Sequence, residues 1–202
     1  MKKPHIYSWI NPDLEIKKTT KYGKGDIPKI KKGKKTYQKL TGEGFGVFAR
    51  NDIKKGTTLF VMGGYILTID DENKLTGMVS DKPIEISEEF SIGPRQEADI
   101  ALMPQHYVNH SCDPNAGFKG QIFMVAMKKI KKGDEIVYDY AMIMHANEKS
   151  NSYFTFDCVC GTKKCRHTIG ENDWKLSDLQ DRYDGYFQYF IQEKINKRRS
   201  KK

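Results

Sequence analysis

Three of the four cysteines in this chain, Cys158, Cys160 and Cys165, crowd into a single short stretch, and the fourth, Cys112, stands far upstream. Three thiolates cannot close a tetrahedral structural zinc site, whereas four can. The set is therefore complete for one ion if Cys112 folds back onto the cluster. On spacing alone a redox pair and a group of inert buried thiols stay open as well. Structural disulfides would need an oxidising compartment. The N-terminus has Lys2 and Lys3 but no apolar segment of the kind a secretory signal carries.

Asn109 to Asn115 reads Asn-His-Ser-Cys-Asp-Pro-Asn, a dense polar run. Asn109 and His110 could act as an orienter and a base, or make Asx-type turns. A thiolate–imidazole pair between Cys112 and His110 is disfavoured, because such partners normally meet through the fold and not as near neighbours. Gly133 to Tyr140 reads Gly-Asp-Glu-Ile-Val-Tyr-Asp-Tyr and ends on Tyr138 and Tyr140. Residues two apart in a regular strand face the same way. Two phenols on one cavity could orient an amine, or simply be core tyrosines with satisfied hydroxyls. Gly42, Gly44 and Gly46 around Phe45 would let a ligand approach the backbone closely, or form a plain turn. Neither a P-loop nor a Rossmann glycine pattern is present.

Short strands must position these groups. Val47–Ala49, Thr57–Val61, Ile122–Ala126 and Glu135–Tyr138 are rich in β-branched and aromatic residues and are bounded by Gly, Asp and Lys. Ile-Lys-Lys-Gly occurs at Ile53–Gly56 and again at Ile130–Gly133, each predicting a turn with Gly at positive φ. Residues 17–39, rich in Lys and Gly, read as a loop or linker, and 70–107 as acidic and loop-rich. Near the end, Leu176, Leu179, Tyr183, Phe187, Phe190 and Ile191 recur at helical steps, with Ser177 and Gln180 in the form of a capping box. Gly185 weakens that helix by about 1 kcal/mol relative to Ala.

Hydrophobic residues make up 38% of the 202 positions and charged residues 30%, which fits a globular chain with its own core. No run approaches the length of a membrane span. The net charge of +9 is unevenly spread: residues 1–40 and 191–202 are strongly basic and the body between them is mildly acidic. Basic extensions can contact nucleic acid or another polyanion, or can be solvated tails. The C-terminal run from Asn196 to Lys202 could also serve as a nuclear address.

The order of these motifs resembles a SET-domain protein lysine methyltransferase with a post-SET zinc-binding segment. Gly-x-Gly-Val-Phe-Ala is followed by Asn-His-Ser-Cys-Asp-Pro-Asn, then Glu-Ile-Val-Tyr-Asp-Tyr, then Cys-x-Cys-Gly-x3-Cys-Arg, over roughly residues 40–170. The resemblance implies a mainly β fold with short helices, built of small curved sheets with a knot-like threading, with a SET domain over 40–150 and a post-SET zinc segment over 151–172. Charge and apolar periodicity add a basic extension over 1–39 and, beyond the shared core, a C-terminal helix with a basic tail over 173–202.

By the same resemblance, S-adenosyl-L-methionine lies against Glu43, Gly44, Phe45 and Gly46, with Asn109, His110 and Tyr140 completing its site. Tyr140 matches the catalytic tyrosine, and Tyr138 matches the position that limits how many methyl groups are added. Zn2+ is held by Cys112, Cys158, Cys160 and Cys165, and Ile169 or Trp174 closes over the adenine. The implied partner is a lysine-containing protein; the charge split by itself suits a lysine-rich one, histone-like or ribosomal, with nucleic acid or chromatin touched by the basic ends, and no membrane is expected. The implied location is intracellular, cytoplasmic or nuclear. The alternatives are an inactive module of the same fold and a zinc-stabilised nucleic-acid binder. Departures from the family pattern are the missing cysteine-rich pre-SET sequence, Met62–Tyr65 after the second strand, and His106 where many relatives carry Arg.

Overall fold

A computed structural model describes residues 8–19, 24–31, 34–41, 44–151 and 154–201. In chain order the strands are β1 (Trp9–Ile10), β2 (Leu14–Thr19), β3 (Lys24–Lys31), β4 (Lys34–Thr41) and β5 (Gly44–Ala49). Next come β6 (Thr58–Val61), β7 (Tyr65–Thr68), helix α1 (Ile69–Glu72), β8 (Ile84–Glu85), β9 (Phe90–Gly93) and helix α2 (Glu97–Ile100). The second half adds β10 (Asn109–His110), β11 (Ala116–Lys119), β12 (Phe123–Ala126), β13 (Glu135–Tyr138), β14 (Thr155–Asp157) and β15 (Thr168–Gly170). Helices α3 (Ser177–Arg182) and α4 (Tyr189–Arg199) close the chain.

Among the described residues there are five small sheets, two of four strands, one of three and two of two, so the fold is mainly β with short helices. One four-stranded sheet runs β1-β6-β12-β11, and the other β10-β13-β5-β2. In the second, β10 and β13 are parallel while β13–β5 and β5–β2 are antiparallel. The four strand segments expected from composition fall on β5, β6, β12 and β13. The two Ile-Lys-Lys-Gly turns have Gly56 at φ 85° and Gly133 at φ 88°, a region glycine enters without steric cost. Their first residues, Ile53 and Ile130, pair with each other, exchanging backbone hydrogen bonds of 2.8 and 3.0 Å. The repeat therefore clamps the outgoing ends of β5 and β12 together.

The expected loop over residues 17–39 is a correction. Lys17–Thr19 belong to β2, all six residues of which pair with β5, and β3 and β4 form an eight-pair antiparallel hairpin. In β2 only Leu14 is buried. Backbone pairing at an edge, which hydrophobic periodicity does not report, makes the strand, and Lys17 and Lys18 are typical edge residues. Within residues 70–107, β8 and β9 join the preceding β7 in a three-stranded antiparallel sheet, β7-β9-β8, against which α1 packs.

The expected single C-terminal helix is also corrected. Gly185, at φ 69°, separates α3 from α4, and no side-chain cap forms at the start of α3. Gln180 instead sends Nε2 to the Trp174 carbonyl at 2.9 Å. The apolar spacing was still a true burial signal. Leu179, Tyr183, Phe187 and Ile191 are all buried in one core with Val47, Leu59, Phe60, Phe118, Ile136 and Met142. Among the described residues no helix is long and apolar enough to cross a membrane.

Candidate active site

The parallel pairing of β10 with β13 sets Asn109 opposite Val137 and His110 opposite Tyr138. Asn115, at the end of the same polar run, holds the register. Its Oδ1 accepts from Val137 N–H at 2.9 Å and its Nδ2 donates to the Glu135 carbonyl at 2.7 Å, so it acts as one more rung of the ladder. Asn109 Nδ2 donates to the Phe45 carbonyl at 2.9 Å and to Glu135 Oε1 at 2.8 Å. Gly46 makes this possible: a Cβ there would lie 2.6 Å from Glu135 Oε1 and 3.2 Å from Asn109 Nδ2. At Gly44 a Cβ would meet nothing within 4 Å. Phe45 is 50% exposed and stands edge-on to Tyr107 at 5.7 Å. Asn109 on β10 thus reaches across β13 to the Gly44–Gly46 stretch of β5, while Glu43 lies outside the described residues.

β13 ends at Tyr138, and Tyr140 opens a 3-10 turn, Tyr140–Met142. The two tyrosines are therefore not alternate residues of one regular strand, but their rings still meet, centroids 5.0 Å apart and tilted by 41°. Phe118 lies edge-on to Tyr138 at 5.5 Å. The Tyr140 hydroxyl is held loosely, 3.5 Å from the Val108 carbonyl. Burial pushes both phenols above their ordinary range, Tyr138 strongly. This poorly solvated patch would also disfavour any other charge placed in it.

His110 is buried with both ring nitrogens engaged. Tyr140 N–H donates to Nδ1 at 3.1 Å, which leaves Nε2 as the protonated nitrogen of the neutral ring, 3.3 Å from Cys112 Sγ. The ring thus ties the turn of Tyr140 to the thiol cluster. Phe156 on β14 packs edge-on against His110 at 5.7 Å and against Tyr140 at 5.8 Å, forming an aromatic wall. Sequence reading missed Phe156. The Phe154-x-Phe156 pair just before Cys158 was the available signal.

Cys112 does fold back. The Sγ atoms of Cys112, Cys158, Cys160 and Cys165 lie within 4.8 Å of one another, with Cys112 and Cys158 at 3.9 Å. A tetrahedral zinc with Zn–S near 2.3 Å needs sulfur–sulfur edges of about 3.8 Å, so the four thiols fit one ion with small adjustments. Without a metal, a hydrogen bond from Cys158 holds the Cys112 thiol down to about 4 and pushes Cys158 up. His167, at φ 64°, turns its carbonyl to accept from Cys158 N–H at 2.5 Å. Ile169 is fully buried against the thiols and Trp174 is buried in the main core.

Behind the tyrosines lies a charge network that sequence reading also missed. Asp139 is fully buried, and Arg166, next to Cys165, forks onto it through Nη1 at 2.5 Å and Nη2 at 2.8 Å. Arg166 Nε reaches Asp173 at 3.0 Å. Burial works against the Arg166 charge, but its paired carboxylates outweigh that and raise its pKa.

Residues 44–141 match the SET domain family. Over 171 residues the chain is 28% identical to the variant-silencing SET domain-containing protein of Plasmodium falciparum, covering 76% of this chain and 5% of that one. It is 27% identical over 121 residues to the H3 lysine-9 specific histone-lysine N-methyltransferase dim-5 of Neurospora crassa, covering 50% of this chain and 34% of the relative. Among solved structures, KRYPTONITE in complex with mCHG DNA and SAH is 21% identical with a TM-score of 0.43, covering 62% of this chain and 26% of that one. The chain therefore spans about a third or less of these curated relatives. It carries a SET domain, and its four-cysteine cluster fits the post-SET zinc segment of that family.

Proposed function

We propose that this SET domain transfers one or two methyl groups from S-adenosyl-L-methionine to a lysine side chain of another protein. The observation that carries the reading is the pair of buried Tyr138 and half-buried Tyr140, 5.0 Å between ring centres, tied through His110 to the thiol cluster. The names of the relatives make histone lysines the first substrates to test. The residues present suit the cofactor: open backbone at Gly44, an exposed aromatic edge at Phe45, and Asn109 beside them. Bound there, S-adenosyl-L-methionine supplies a methyl group on a positively charged sulfonium.

The remaining chemistry belongs to the chain. A lysine has a pKa near 10.4, so presenting it as a free amine at pH 7 costs about 4.6 kcal/mol. The burial that pushes the two phenols up would push a lysine amine down, which lowers that cost without a strong side-chain base. Tyr140, its hydroxyl only loosely held, orients the amine. Holding nucleophile and methyl group in line can contribute up to about 7–11 kcal/mol in well-oriented pairs. Tyr138 provides a second phenol where added methyl groups would need room, which favours low methylation states. Zn2+ on Cys112, Cys158, Cys160 and Cys165 is structural in this reading, since all four positions are filled by protein.

Radiolabelled methyl transfer tests the proposal. Purified protein is incubated with labelled cofactor and core histones, ribosomal proteins or whole lysate, beside Tyr140→Phe. Labelled bands that vanish in the variant support it. No label from any source, with cofactor binding shown separately, favours an inactive module of the same fold. Tyr138→Phe is expected to raise the methylation state seen by mass spectrometry, and unchanged products would remove the assigned role of Tyr138.

A contact with nucleic acid is supported by α4. Lys194, Lys197, Arg198 and Lys201 fall at helical steps along one groove of about 610 Å³, with Phe190 and Trp174 among its lining. Lys194 is paired with Glu88, and the other three cations are exposed. Binding of duplex DNA should weaken steeply with salt, and Lys197→Ala with Arg198→Ala should flatten the slope.

A further inference from the structure

Tyr183 sits at the C-terminal end of α3, beyond the zinc segment, with its side chain almost wholly buried beside Phe187. A phenylalanine would fill the same space. What the tyrosine adds is a hydroxyl that lies 3.0 Å from Asp139 Oδ2 and 3.3 Å from the Cys112 carbonyl. A phenol has one proton to give, and the charged acceptor at the shorter distance takes it. The Cys112 carbonyl keeps Arg182 Nη1 at 3.4 Å.

Asp139 is the point where these parts meet. Its carboxylate accepts from Arg166 Nη1 and Nη2, from Tyr183, and from Ala141 N–H at 3.0 Å. The last of these bonds caps the 3-10 turn on which Tyr140 is the first residue. A carboxylate with no solvent exposure is tolerated only while its oxygens are fully served, so losing one donor lets it rotate or draw in water. Either response moves the cap and with it the Tyr140 ring. His110 holds the Tyr140 backbone N–H and packs edge-on against the ring at 5.1 Å, and the ring's only side-chain hydrogen bond is one long hydroxyl contact.

We propose that Tyr183 is a positioning residue for Tyr140, acting through Asp139, so that the helical segment following the zinc cluster is a working part of the active site. This rests on the methyltransferase reading for its kinetic consequence, but not for its structural one.

The test uses the full-length, zinc-loaded chain carrying Tyr183→Phe, Asp139→Asn, or both. Zinc content, melting temperature, kcat and KM for S-adenosyl-L-methionine are measured, together with the ring resonances of 13C-labelled tyrosine, Tyr140 being assigned by its loss in Tyr140→Phe. Tyr183→Phe should keep its zinc and its KM within about twofold, lose about 5- to 50-fold in kcat, and shift the Tyr140 resonance. Because both variants break one link, the double variant should be no worse than Asp139→Asn by more than about twofold. A Tyr183→Phe protein with normal kcat and an unmoved Tyr140 resonance overturns the proposal, as do losses that multiply in the double variant. If Asp139→Asn does not fold, Tyr183→Phe alone decides. If the wild type methylates nothing, the functional reading fails by itself, and the Tyr140 resonance still decides the positioning role.

Discussion

Two glycines two positions apart should respond in opposite ways to the same added methyl group. At Gly46 an alanine Cβ would fall 2.6 Å from Glu135 Oε1, 3.1 Å from Phe48 Cε2 and 3.2 Å from Asn109 Nδ2. The Glu135 carboxylate is the flexible end of a side chain and can swing away, but it then gives up its 2.8 Å hydrogen bond to Asn109. A hydrogen bond to a charged group contributes about 1.5–3 kcal/mol. Gly46 is not at positive φ, so alanine also recovers about 0.4–1 kcal/mol by restricting the unfolded chain. The net loss for Gly46→Ala is about 1–2 kcal/mol, or a melting temperature lower by about 2–8 °C. Asn109 loses one of its two anchors, so calorimetric titration should show S-adenosyl-L-methionine binding weakened up to about tenfold. Gly44→Ala meets no atom within 4 Å and should be neutral or slightly stabilising in the same urea and thermal scans. If the two variants prove equally stable, the argument from close approach at Gly46 is wrong.

Other expectations follow from separate parts of the molecule. Cys112→Ser, or prolonged chelation, should take zinc from about one equivalent per chain to near zero by mass spectrometry and lower the unfolding midpoint, since binding energy at a structural site is folding energy. Glu171 is buried and its carboxyl is pushed up from 4.5 to about 7. A carboxyl that is raised on folding stabilises most below its unfolded pKa, so this contribution is lost as pH climbs from about 4.5 through about 7, and Glu171→Gln should flatten that slope in urea titrations. Leu179→Ala, at a fully buried position of α3, should cost about 2–5 kcal/mol by denaturation if the C-terminal helices share the main core; a loss below about 1 kcal/mol would mean they do not.

The chemistry-bearing residues were legible because their types are scarce and their order is specific. Four cysteines with three crowded into one short stretch, a polar run around Asn109 and His110, and paired tyrosines after a β-branched run each point to a short list of tasks. Burial was legible too where apolar spacing was regular, as in Leu179, Tyr183, Phe187 and Ile191. Composition misled at the edges. Lys17–Thr19 and the β3–β4 hairpin look like linker because their strands are held by backbone pairing, and backbone hydrogen bonds leave no mark on side-chain hydrophobicity.

By itself, then, the sequence determined which side chains are available, that the apolar segments β5, β6, β12 and β13 are strands, and that one metal could use every cysteine. The tertiary structure decided which of them meet. Cys112 joins the cluster because the chain returns 46 residues later, and His110 turns from a free base into a link between Tyr140 and that cluster. Asp139 acquires Arg166 from the cysteine-rich segment and Tyr183 from the end of α3. These encounters are long-range, and a buried charge or hydroxyl is specified by partners that local sequence does not contain, so only the folded arrangement reveals them.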